Sequence, residues 1–193
     1  MKRIFDIFFS IIGLLFLLPL FIIIAILIVI DSRGGFVYKQ SRVGKNNRDF
    51  TLLKFRTMVN DAEKKGLLTV GKRDSRITTV GYYLRNYKLD ELPQLWNVLK
   101  GDMSLVGPRP EVRKYVDMYA HEYSKILSIS PGITDYASIE YINENELLHK
   151  AENPEEMYIK EVLPAKLKLN LIYLNKRSFW VDFGIIWKTI FKI

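Results

Sequence analysis

The chain has 193 residues, no cysteine and a formal net charge of +8, from 29 lysines and arginines against 21 acidic residues. The absence of cysteine excludes disulfides and thiolate metal sites, and His121 and His149 lie too far apart in sequence to form a usual zinc site on their own. The length suits one domain of ordinary size, and the basic balance indicates a polyanionic partner: nucleic acid, an anionic membrane or a phosphorylated substrate.

Residues 11–30 (IIGLLFLLPLFIIIAILIVI) form an uncharged stretch that is long enough, at about 30 Å of straight helix, to cross a bilayer. Hydropathy alone therefore favours a single spanning anchor. Pro19 lies in the middle and is expected to break or kink this helix. Basic residues flank both ends, and the positive-inside rule places such flanks in the cytoplasm. The proline and the flanking charges favour a hairpin that enters and leaves by the same face, so both topologies stay open.

Two short strands and a short helix follow in the chain. The stretch GGFVYKQSRVGKNNRDFTLLKFRTM predicts two strands around a turn at residues 44–47. The stretch TTVGYYLRNYK predicts a short helix that is capped by Thr78 or Thr79, with Leu84 and Tyr87 facing inward.

A further helix is predicted to begin near Asp90, because apolar residues recur there at helical spacing and Gly101 is a typical stop. Pro93 fits the first turn of such a helix, where a missing N–H has no cost. The residues that match the apolar pattern are Leu92, Leu95, Trp96 and Leu99.

The C-terminal half is expected to be mainly helical, with helices over residues 111–127 and 155–176 and a turn at SPGIT. The last stretch, SFWVDFGIIWKTIFKI, is amphipathic. Its apolar stripe is formed by Phe179, Phe183, Ile186, Trp187 and Ile190. Such a helix either packs in the core, which is the default, or lies in the headgroup region of a membrane.

The adjacent acids Asp90 and Glu91 have an ordinary interpretation as a helix cap and as compensation of the helix dipole. They also have a chemical one. Consecutive helix residues point about 100° apart, so one acid can face a substrate while the other binds a metal or orients its neighbour. The helix N-terminus is expected to keep Asp90 ionised, and an ionised carboxylate is a nucleophile that needs no activating base. Attack on a phosphate would require cations that reduce the charge repulsion.

Candidate cations occur nearby. Arg85 precedes the acids, and Arg109 lies between two prolines in GPRP, which restrict its backbone and suit bidentate phosphate binding. Lys54 and Arg56 share one face of the second predicted strand. Each of these residues has an ordinary alternative as a solvated surface group. Together with the apolar segment they indicate a site for a phosphorylated substrate near a membrane surface.

The sequence contains neither a P-loop nor a G-x-G-x-x-G fingerprint, so a nucleotide is not held in either of those two ways. The aromatic residues cluster in apolar stripes rather than among the basic residues. This distribution disfavours nucleic acid as the partner.

The chain resembles the bacterial sugar transferases, the small monotopic phosphoglycosyl transferases, over nearly its whole length. The matching stretches are KRIFDI, the proline-interrupted apolar segment, KFRTM, LDELPQLWNVLKGDMSLVGPRP, SPGIT and SFWVDFGII. With the predicted elements, the resemblance implies an α+β, mostly helical fold with a short β-hairpin and amphipathic surface helices. Residues 1–30 would form a re-entrant membrane helix broken at Pro19. Residues 31–193 would form a cytoplasmic, membrane-associated catalytic domain on the bacterial inner membrane.

The activity implied by the resemblance is transfer of a phospho-sugar from a UDP-sugar to undecaprenyl phosphate, with release of UMP, at the start of glycan assembly. Asp90 would form an aspartyl phospho-sugar intermediate. Glu91 would act as a Mg²⁺ ligand or as a proton acceptor, and Mg²⁺ held by the two acids is the expected cofactor. Lys54, Arg85 and Arg109 match family positions that contact phosphate. A homodimer is a further expectation for the assembly.

Two residues depart from the pattern of many relatives. Leu18 stands where a serine often precedes the proline, and Asn170 stands where an acid is common and cannot supply charge to Mg²⁺ or act as a base. The stretch DYASIEYINENELLHK is expected to shape the sugar pocket. A competing hypothesis from another class is a non-enzymatic, membrane-tethered scaffold whose basic surface binds anionic lipid or a partner protein.

Overall fold

The computed structural model describes residues 2–62, 66, 68–71 and 74–192. Within these residues the protein is mostly helical and has two small two-stranded sheets, which agrees with the predicted class. The helices are α1 (Lys2–Asp31), α2 (Thr79–Asn86), α3 (Gln94–Lys100), α4 (Arg113–Met118), α5 (Ala120–Ile126), α6 (Tyr136–Glu140), α7 (Glu144–His149), α8 (Pro154–Met157), α9 (Leu163–Lys176) and α10 (Phe179–Lys192). The strands are β1 (Val37–Val43), β2 (Asp49–Phe55), β3 (Ser104–Val106) and β4 (Gly132–Thr134).

Helix α1 is the long apolar element that the sequence predicts. Among the described helices it alone is long and apolar enough to cross a membrane. The helix continues through Pro19 without interruption. A re-entrant path for α1 therefore stays a prediction. A narrow stripe packs against the rest of the protein, and Asp6, Ser10, Ile24 and Ile28 are buried there. Most of the other apolar side chains of α1 are exposed.

The N-terminal end of α1 is fastened by polar contacts to the segment around β3. The buried carboxylate of Asp6 accepts hydrogen bonds from the Ser104 hydroxyl at 2.9 Å and from the Leu105 N–H at 3.1 Å. Arg3 donates to the carbonyl oxygens of Val98 and Leu99, near the end of α3, at 2.5 and 2.8 Å. A guanidinium is favourable there, because the last carbonyls of a helix lack partners and carry the negative end of its dipole.

The C-terminal end of α1 is fastened to the same body through α2 and β2. Asp31 accepts a hydrogen bond from the Val80 N–H, in the first turn of α2, at 2.8 Å. The buried Arg56, just after β2, donates to the carbonyl oxygens of Ser32 and Arg33 at 2.6 Å each. Both ends of α1 are therefore held by polar groups of one and the same body.

Strands β1 and β2 form the predicted antiparallel hairpin, with Val43 opposite Asp49 next to the turn. The turn lies where the sequence indicates. Asn46 and Asn47 adopt positive φ angles of 57° and 61° in it, which asparagine tolerates better than most residues. The hairpin places Lys54 near the end of β2, on the side where the acid pair lies.

Helix α2 is capped as predicted by Thr78, whose hydroxyl accepts a hydrogen bond from the Gly81 N–H at 3.1 Å. Leu84 is buried, as expected. Tyr87 is 62% exposed, so its predicted inward orientation is wrong. Tyr87 lies just beyond the last residue of α2, where the helical spacing behind the prediction no longer applies.

The stretch SPGIT is predicted as a turn, but the structure places Gly132–Thr134 in β4, which pairs in parallel with β3. Two glycines allow this close approach. A β-carbon on Gly132 would lie 2.0 Å from the backbone nitrogen of Gly107, so a larger residue would force the segments apart. The Gly107 N–H donates to the Thr134 carbonyl oxygen at 3.0 Å. This small sheet thereby fixes the backbone that leads into Arg109.

The predicted helix over residues 111–127 is divided into α4 and α5 at Tyr119, whose φ of −125° and ψ of 42° interrupt the helical path. The predicted helix around Pro164 is confirmed, since α8 continues through a π-helical turn at Tyr158–Val162 into α9. These helices and β1 enclose the main hydrophobic core. Its buried members are Val43, Val112, Tyr115, Val116, Tyr123, Ile126, Leu148, Tyr158, Val162, Leu163 and Leu167.

The expectation that the apolar stripe of α10 packs in the core is wrong. In the described part of α10, Ile185 is the buried residue. The exposed large side chains of this helix are Phe179, Trp180, Phe183, Trp187, Ile190 and Phe191. Spacing alone cannot tell whether an amphipathic helix faces protein or lipid, and the neighbouring helices here cover only its Ile185 side. The alternative, a helix lying in the headgroup region, stays a prediction.

Candidate active site

The acid pair lies in a short 3₁₀ turn, Leu89–Glu91, between α2 and α3. Lys88, just before this turn, has a left-handed backbone conformation with φ 54° and ψ 19°. Helix α3 begins at Gln94, after Pro93. Asp90 is therefore not the cap of α3, and the predicted helix start is wrong by about one turn. Instead of lying at an exposed helix end, Asp90 is only 7% exposed.

The face that α3 presents to the core also differs from the prediction. Trp96 is exposed, whereas Gln94, Asn97 and Val98 are buried. The apolar leucines of α3 contact another element. Leu95 packs against Gly13 of α1, since a β-carbon added at Gly13 would lie 3.1 Å from the Leu95 side chain. The apolar pattern of α3 thus records contact with α1 rather than with the interior of the domain.

Asn97 joins α3 to β2, a role that the sequence reasoning missed. Its side-chain nitrogen donates to the Thr51 carbonyl oxygen at 2.7 Å, and its side-chain oxygen accepts from the Leu53 N–H at 3.0 Å. These bonds hold β2 beside the acid pair, so that Lys54 reaches it. The only signal in the sequence is a polar residue inside the apolar pattern of α3.

Glu91 is the centre of an ion-pair cluster. Its Oε2 accepts a hydrogen bond from Arg109 Nη1 at 2.9 Å, and its Oε1 accepts from Arg109 Nη2. Lys54 Nζ lies 3.1 Å from the same Oε1. Burial alone would raise the pKa of Glu91, but Arg109 and Lys54 outweigh it and hold the pKa well below its usual value. Glu91 is thus a permanently ionised carboxylate at neutral pH.

Asp90 has a different environment. Among the residues that the structure describes, none donates a hydrogen bond to its carboxylate, which opens onto a large cavity. Burial and the neighbouring charge of Glu91 raise the pKa of Asp90, while Lys54, Arg85 and Lys88 oppose that rise. Asp90 does not lie at the N-terminus of α3, so the predicted reason for its ionisation does not hold, and the ionised state of Asp90 stays a prediction. Asp90 is a partly desolvated carboxylate with free oxygens.

Arg85 and Arg109 approach the acids in different ways. Arg109 binds Glu91 directly, and the charge of Glu91 raises the pKa of the guanidinium despite burial. Arg85 lines the same cavity without a hydrogen bond to either acid. Burial lowers the pKa of Arg85, and Asp90 is the largest opposing influence. The structure thus brings five of the residues singled out from the sequence to one cavity: Lys54, Arg85, Asp90, Glu91 and Arg109. Arg85 and Asp90 make no hydrogen bond to the other three. Arg56, the remaining candidate, also lines the cavity but donates to Ser32 and Arg33.

Asp135 fixes the backbone of Arg109 and was also missed from the sequence. Its fully buried carboxylate accepts a hydrogen bond from the Arg109 N–H at 3.1 Å and from the Ser138 N–H at 2.6 Å. The second bond caps α6. An aspartate three residues before a serine amide is an ordinary cap signal. The sequence does not show that the same carboxylate also binds the backbone of GPRP, because that contact depends on the β3–β4 pairing.

The cavity has a volume of about 1070 Å³ and contains all five of these residues in its lining. Aromatic side chains of α1 and α10 line one part, including Phe5, Phe9, Phe179 and Phe183. Charged and hydroxyl side chains line another, including Arg42, Glu111, Tyr115, Ser138, Glu144 and Lys166. The lining of the cavity that contains the acid pair therefore offers both an apolar and a polar surface.

The residues present offer few ligands for a metal ion. Among the described residues there is no group of three or more histidine, aspartate or glutamate side chains that could hold one. Both oxygens of Glu91 already accept hydrogen bonds, which leaves Asp90 as the carboxylate with free oxygens. Such a set fits Mg²⁺ when substrate phosphate oxygens and water complete the coordination, which is usual for this ion.

Comparison with known proteins shows consistent similarity along the chain. The sequence model of the family described as bacterial sugar transferase matches residues 1–193. The UDP-N-acetylgalactosamine-undecaprenyl-phosphate N-acetylgalactosaminephosphotransferase of Aeromonas hydrophila is 38% identical over 192 residues, which are 98% of this chain and 42% of that protein.

Two further relatives have related names. The putative undecaprenyl-phosphate N-acetylgalactosaminyl 1-phosphate transferase of Bacillus subtilis strain 168 is 46% identical over 121 residues, 63% of this chain and 68% of that protein. The undecaprenyl-phosphate glucose phosphotransferase of Komagataeibacter xylinus is 36% identical over 196 residues, 98% of this chain and 35% of that protein. The chain thus spans less than half the length of the Aeromonas and Komagataeibacter proteins.

Proposed function

The chain belongs to the bacterial sugar transferase family, and we propose that it transfers a phospho-sugar from a UDP-sugar to undecaprenyl phosphate at the cytoplasmic face of a bacterial inner membrane, releasing UMP. The observation that carries the proposal is the contrast between two adjacent carboxylates in one cavity. Glu91 is engaged by Arg109 and Lys54, whereas Asp90 has no hydrogen-bond partner among the described residues. The relatives reported above are named for transfers of this type.

In the proposed first step, a carboxylate oxygen of Asp90 attacks the β-phosphorus of the UDP-sugar. A new O–P bond forms, the bond from that phosphorus to the bridging oxygen breaks, and UMP leaves with the bridging oxygen. In the second step, a phosphate oxygen of undecaprenyl phosphate attacks the same phosphorus and Asp90 leaves as a carboxylate. Burial, which raises the pKa of Asp90, makes its anion more basic and less hydrated, and therefore a better nucleophile.

Cations are required because a carboxylate and a diphosphate repel each other. Lys54, Arg85 and Arg109 line the cavity close to Asp90 and provide them. The depressed pKa of Glu91 makes it a poor proton acceptor at neutral pH. We therefore assign Glu91 the role of holding Lys54 and Arg109 in place rather than that of a base.

Mg²⁺ is the proposed cofactor. Asp90 would supply a carboxylate oxygen, since both Glu91 oxygens accept hydrogen bonds from Arg109 and Lys54, and oxygens of the diphosphate and water would complete the coordination. When bound, the ion would neutralise charge on the diphosphate. Asn170 is buried in α9 and lies outside the cavity lining, so its departure from the family pattern does not remove a ligand from this site.

The contacts of α1 support a monotopic arrangement. Asp6 and Arg3 bind the body at one end of the helix, and Asp31 binds it at the other. A helix that crossed the bilayer completely would carry its ends to opposite faces, and one end would then lose these partners. The exposed aromatic face of α10 is consistent with a body that rests on the membrane surface.

The scaffold hypothesis explains the basic charge and the apolar helix but not the cavity. A scaffold has no use for a carboxylate that is 7% exposed, has no hydrogen-bond partner among the described residues, and shares a cavity with an arginine whose backbone is fixed by Asp135. Burial of a charge without a partner lowers the stability of the fold. Such a carboxylate is therefore retained more readily where it takes part in a reaction.

The proposed function is tested by measuring UMP release from a panel of UDP-sugars in detergent or nanodiscs, with and without undecaprenyl phosphate and Mg²⁺. We expect turnover with at least one UDP-sugar and conversion of undecaprenyl phosphate into its diphospho-sugar. Absence of UMP release across a broad panel, by protein that retains its folded far-UV spectrum, would contradict the proposal.

A further inference from the structure

The polar part of the cavity contains two buried hydroxyl groups without a protein partner. Tyr115 is 2% exposed, and neither its phenolic oxygen nor the buried Oγ of Ser138 has a hydrogen-bond partner among the described residues. Both residues line the cavity. An unsatisfied buried hydroxyl lowers the stability of the folded protein, so it is uncommon unless the group meets a ligand or water during function.

Paired charges surround these hydroxyls. Lys166 Nζ lies 2.5 Å from Glu144 Oε2. Glu111 accepts hydrogen bonds from Arg42 at 3.0 Å and from the Tyr158 hydroxyl at 2.6 Å. All of these residues line the cavity.

The Tyr115 and Tyr158 rings lie 4.9 Å apart, so the two phenols belong to one cluster. Burial and the nearby Glu155 and Glu111 raise the pKa of Tyr115 to about 12, which keeps its hydroxyl protonated and able to donate at neutral pH. This part of the cavity lining therefore contains both hydrogen-bond donors and acceptors.

Ser138 lies one side chain away from the acid-pair cluster. Asp135 accepts hydrogen bonds from both the Ser138 N–H and the Arg109 N–H, and Arg109 binds Glu91. The charge of Glu144 also acts on Arg109. The backbone of Ser138 is thus joined through Asp135 to the backbone of Arg109, the residue proposed to contact phosphate.

We propose that this part of the cavity binds the hexose ring of the UDP-sugar and that Ser138 and Tyr115 select the sugar through its ring substituents. This inference rests on the proposed function. A hexose offers several hydroxyls, each of which donates and accepts hydrogen bonds and can therefore pair with a lining that contains both kinds of group. In the two-step reaction the hexose stays attached to Asp90 through its phosphate while UMP leaves. The buried hydroxyls of Ser138 and Tyr115 therefore suit the hexose, which is the part of the substrate that is retained.

Two variants test the inference because each removes one unpartnered oxygen: Ser138→Ala and Tyr115→Phe. Removal of a buried hydroxyl that bonds nothing is expected to leave thermal stability unchanged or to raise it slightly. The matched controls are Ser41→Ala and Tyr83→Phe, since both residues are exposed and lie outside the cavity lining. The controls are expected to retain wild-type activity.

The measurement is kcat/KM for a panel of UDP-hexoses, together with inhibition by UMP. We expect each site variant to change the ratio of kcat/KM between hexoses by about three- to tenfold, as loss of one hydrogen bond would. Inhibition by UMP, which has no hexose, is expected to stay within about twofold of wild type by the same reasoning.

The outcomes separate this inference from its premise. Wild-type turnover with unchanged ratios in both variants overturns the hexose assignment alone, and so does a parallel loss of UMP inhibition, which would place the ribose there. Failure of wild-type protein to release UMP from any UDP-sugar overturns the proposed function and the inference with it.

Discussion

Arg109 and Glu91 form a two-point ion pair, in which both terminal nitrogens of the guanidinium donate to the two carboxylate oxygens. Lys54 adds a third contact to the same carboxylate. These contacts outweigh burial and hold the pKa of Glu91 well below its usual value, whereas burial, and then the charge of Glu91, raise the pKa of Asp90. Two adjacent carboxylates whose pKa values are pushed apart typically have different roles. The geometry therefore separates an acid that positions cations from an acid that is free to react.

Glu91→Gln is expected to lower both stability and activity. It leaves Lys54 and Arg109 without their counter-charge, at a cost of about 2 kcal/mol once the partial exposure of Arg109 is allowed for. Displaced cations should reduce kcat roughly 100-fold. The pKa of Asp90 should also fall, because the charge of Glu91 contributes to its elevation. The measurements are chemical denaturation and the pH profile of adduct formation.

The matched control for that variant is Glu152→Gln, which removes the same charge from an exposed position. It is expected to change neither stability nor rate. If Glu91→Gln retained wild-type kcat, the assignment of Glu91 as the residue that holds the two cations would be wrong.

The rate of adduct formation is expected to fall as pH is lowered through the raised pKa of Asp90, at a higher pH than for an exposed aspartate. The linkage to stability has the opposite direction. Because the folded state holds this proton more tightly than the unfolded state, the Asp90 charge lowers stability at neutral pH. This penalty decreases as pH falls through the folded pKa and is absent below the unfolded pKa. Asp90→Asn should therefore melt at the same or a higher temperature at pH 7, as differential scanning calorimetry would show. A clearly lower melting temperature would contradict the desolvated environment of the Asp90 carboxylate.

Gly132→Ala is expected to destabilise the protein and to reduce activity. The new β-carbon would lie 2.0 Å from the Gly107 backbone nitrogen, so β3 and β4 must separate and the backbone before Arg109 must shift. Gly184→Ala is the control, because nothing lies within 4 Å of the added atom in α10. In a helix it should be stabilising by about 0.5–1 kcal/mol. Thermal melts of both variants measure the contrast, and equal effects would refute the close β3–β4 approach.

The topology of α1 is tested with single cysteines, since the chain has none of its own. Lys2→Cys and Gly35→Cys flank the helix, and an added side chain at Gly35 meets nothing within 4 Å. Because one body contacts both ends of α1, we expect that an impermeant thiol reagent outside intact cells labels neither position. Labelling of one position and not the other would restore the spanning anchor.

The sequence predicts the local elements well, because the hairpin turn, the Thr78 cap and the amphipathic C-terminal helix depend on neighbouring residues. It identifies the residues of the acid-pair cluster but not their pairing. The pairing of Arg109 with Glu91 rather than Asp90 depends on two contacts, the parallel β3–β4 pairing and the hydrogen bond from Arg109 to Asp135. Each contact joins segments about 26 residues apart in the chain. The exposed face of α10 and the outward Trp96 illustrate the same limit, since periodicity reports an apolar face without naming what covers it.

The central claim is that Asp90 forms a covalent bond to the phospho-sugar. Intact-mass spectrometry of wild type and Asp90→Asn, incubated with a panel of UDP-sugars and Mg²⁺ but without undecaprenyl phosphate, tests it most directly. We expect wild-type protein to gain the mass of one phospho-hexose and Asp90→Asn to gain none. An adduct of equal yield on Asp90→Asn, or complete transfer by a wild-type enzyme that never carries the added mass, would contradict it.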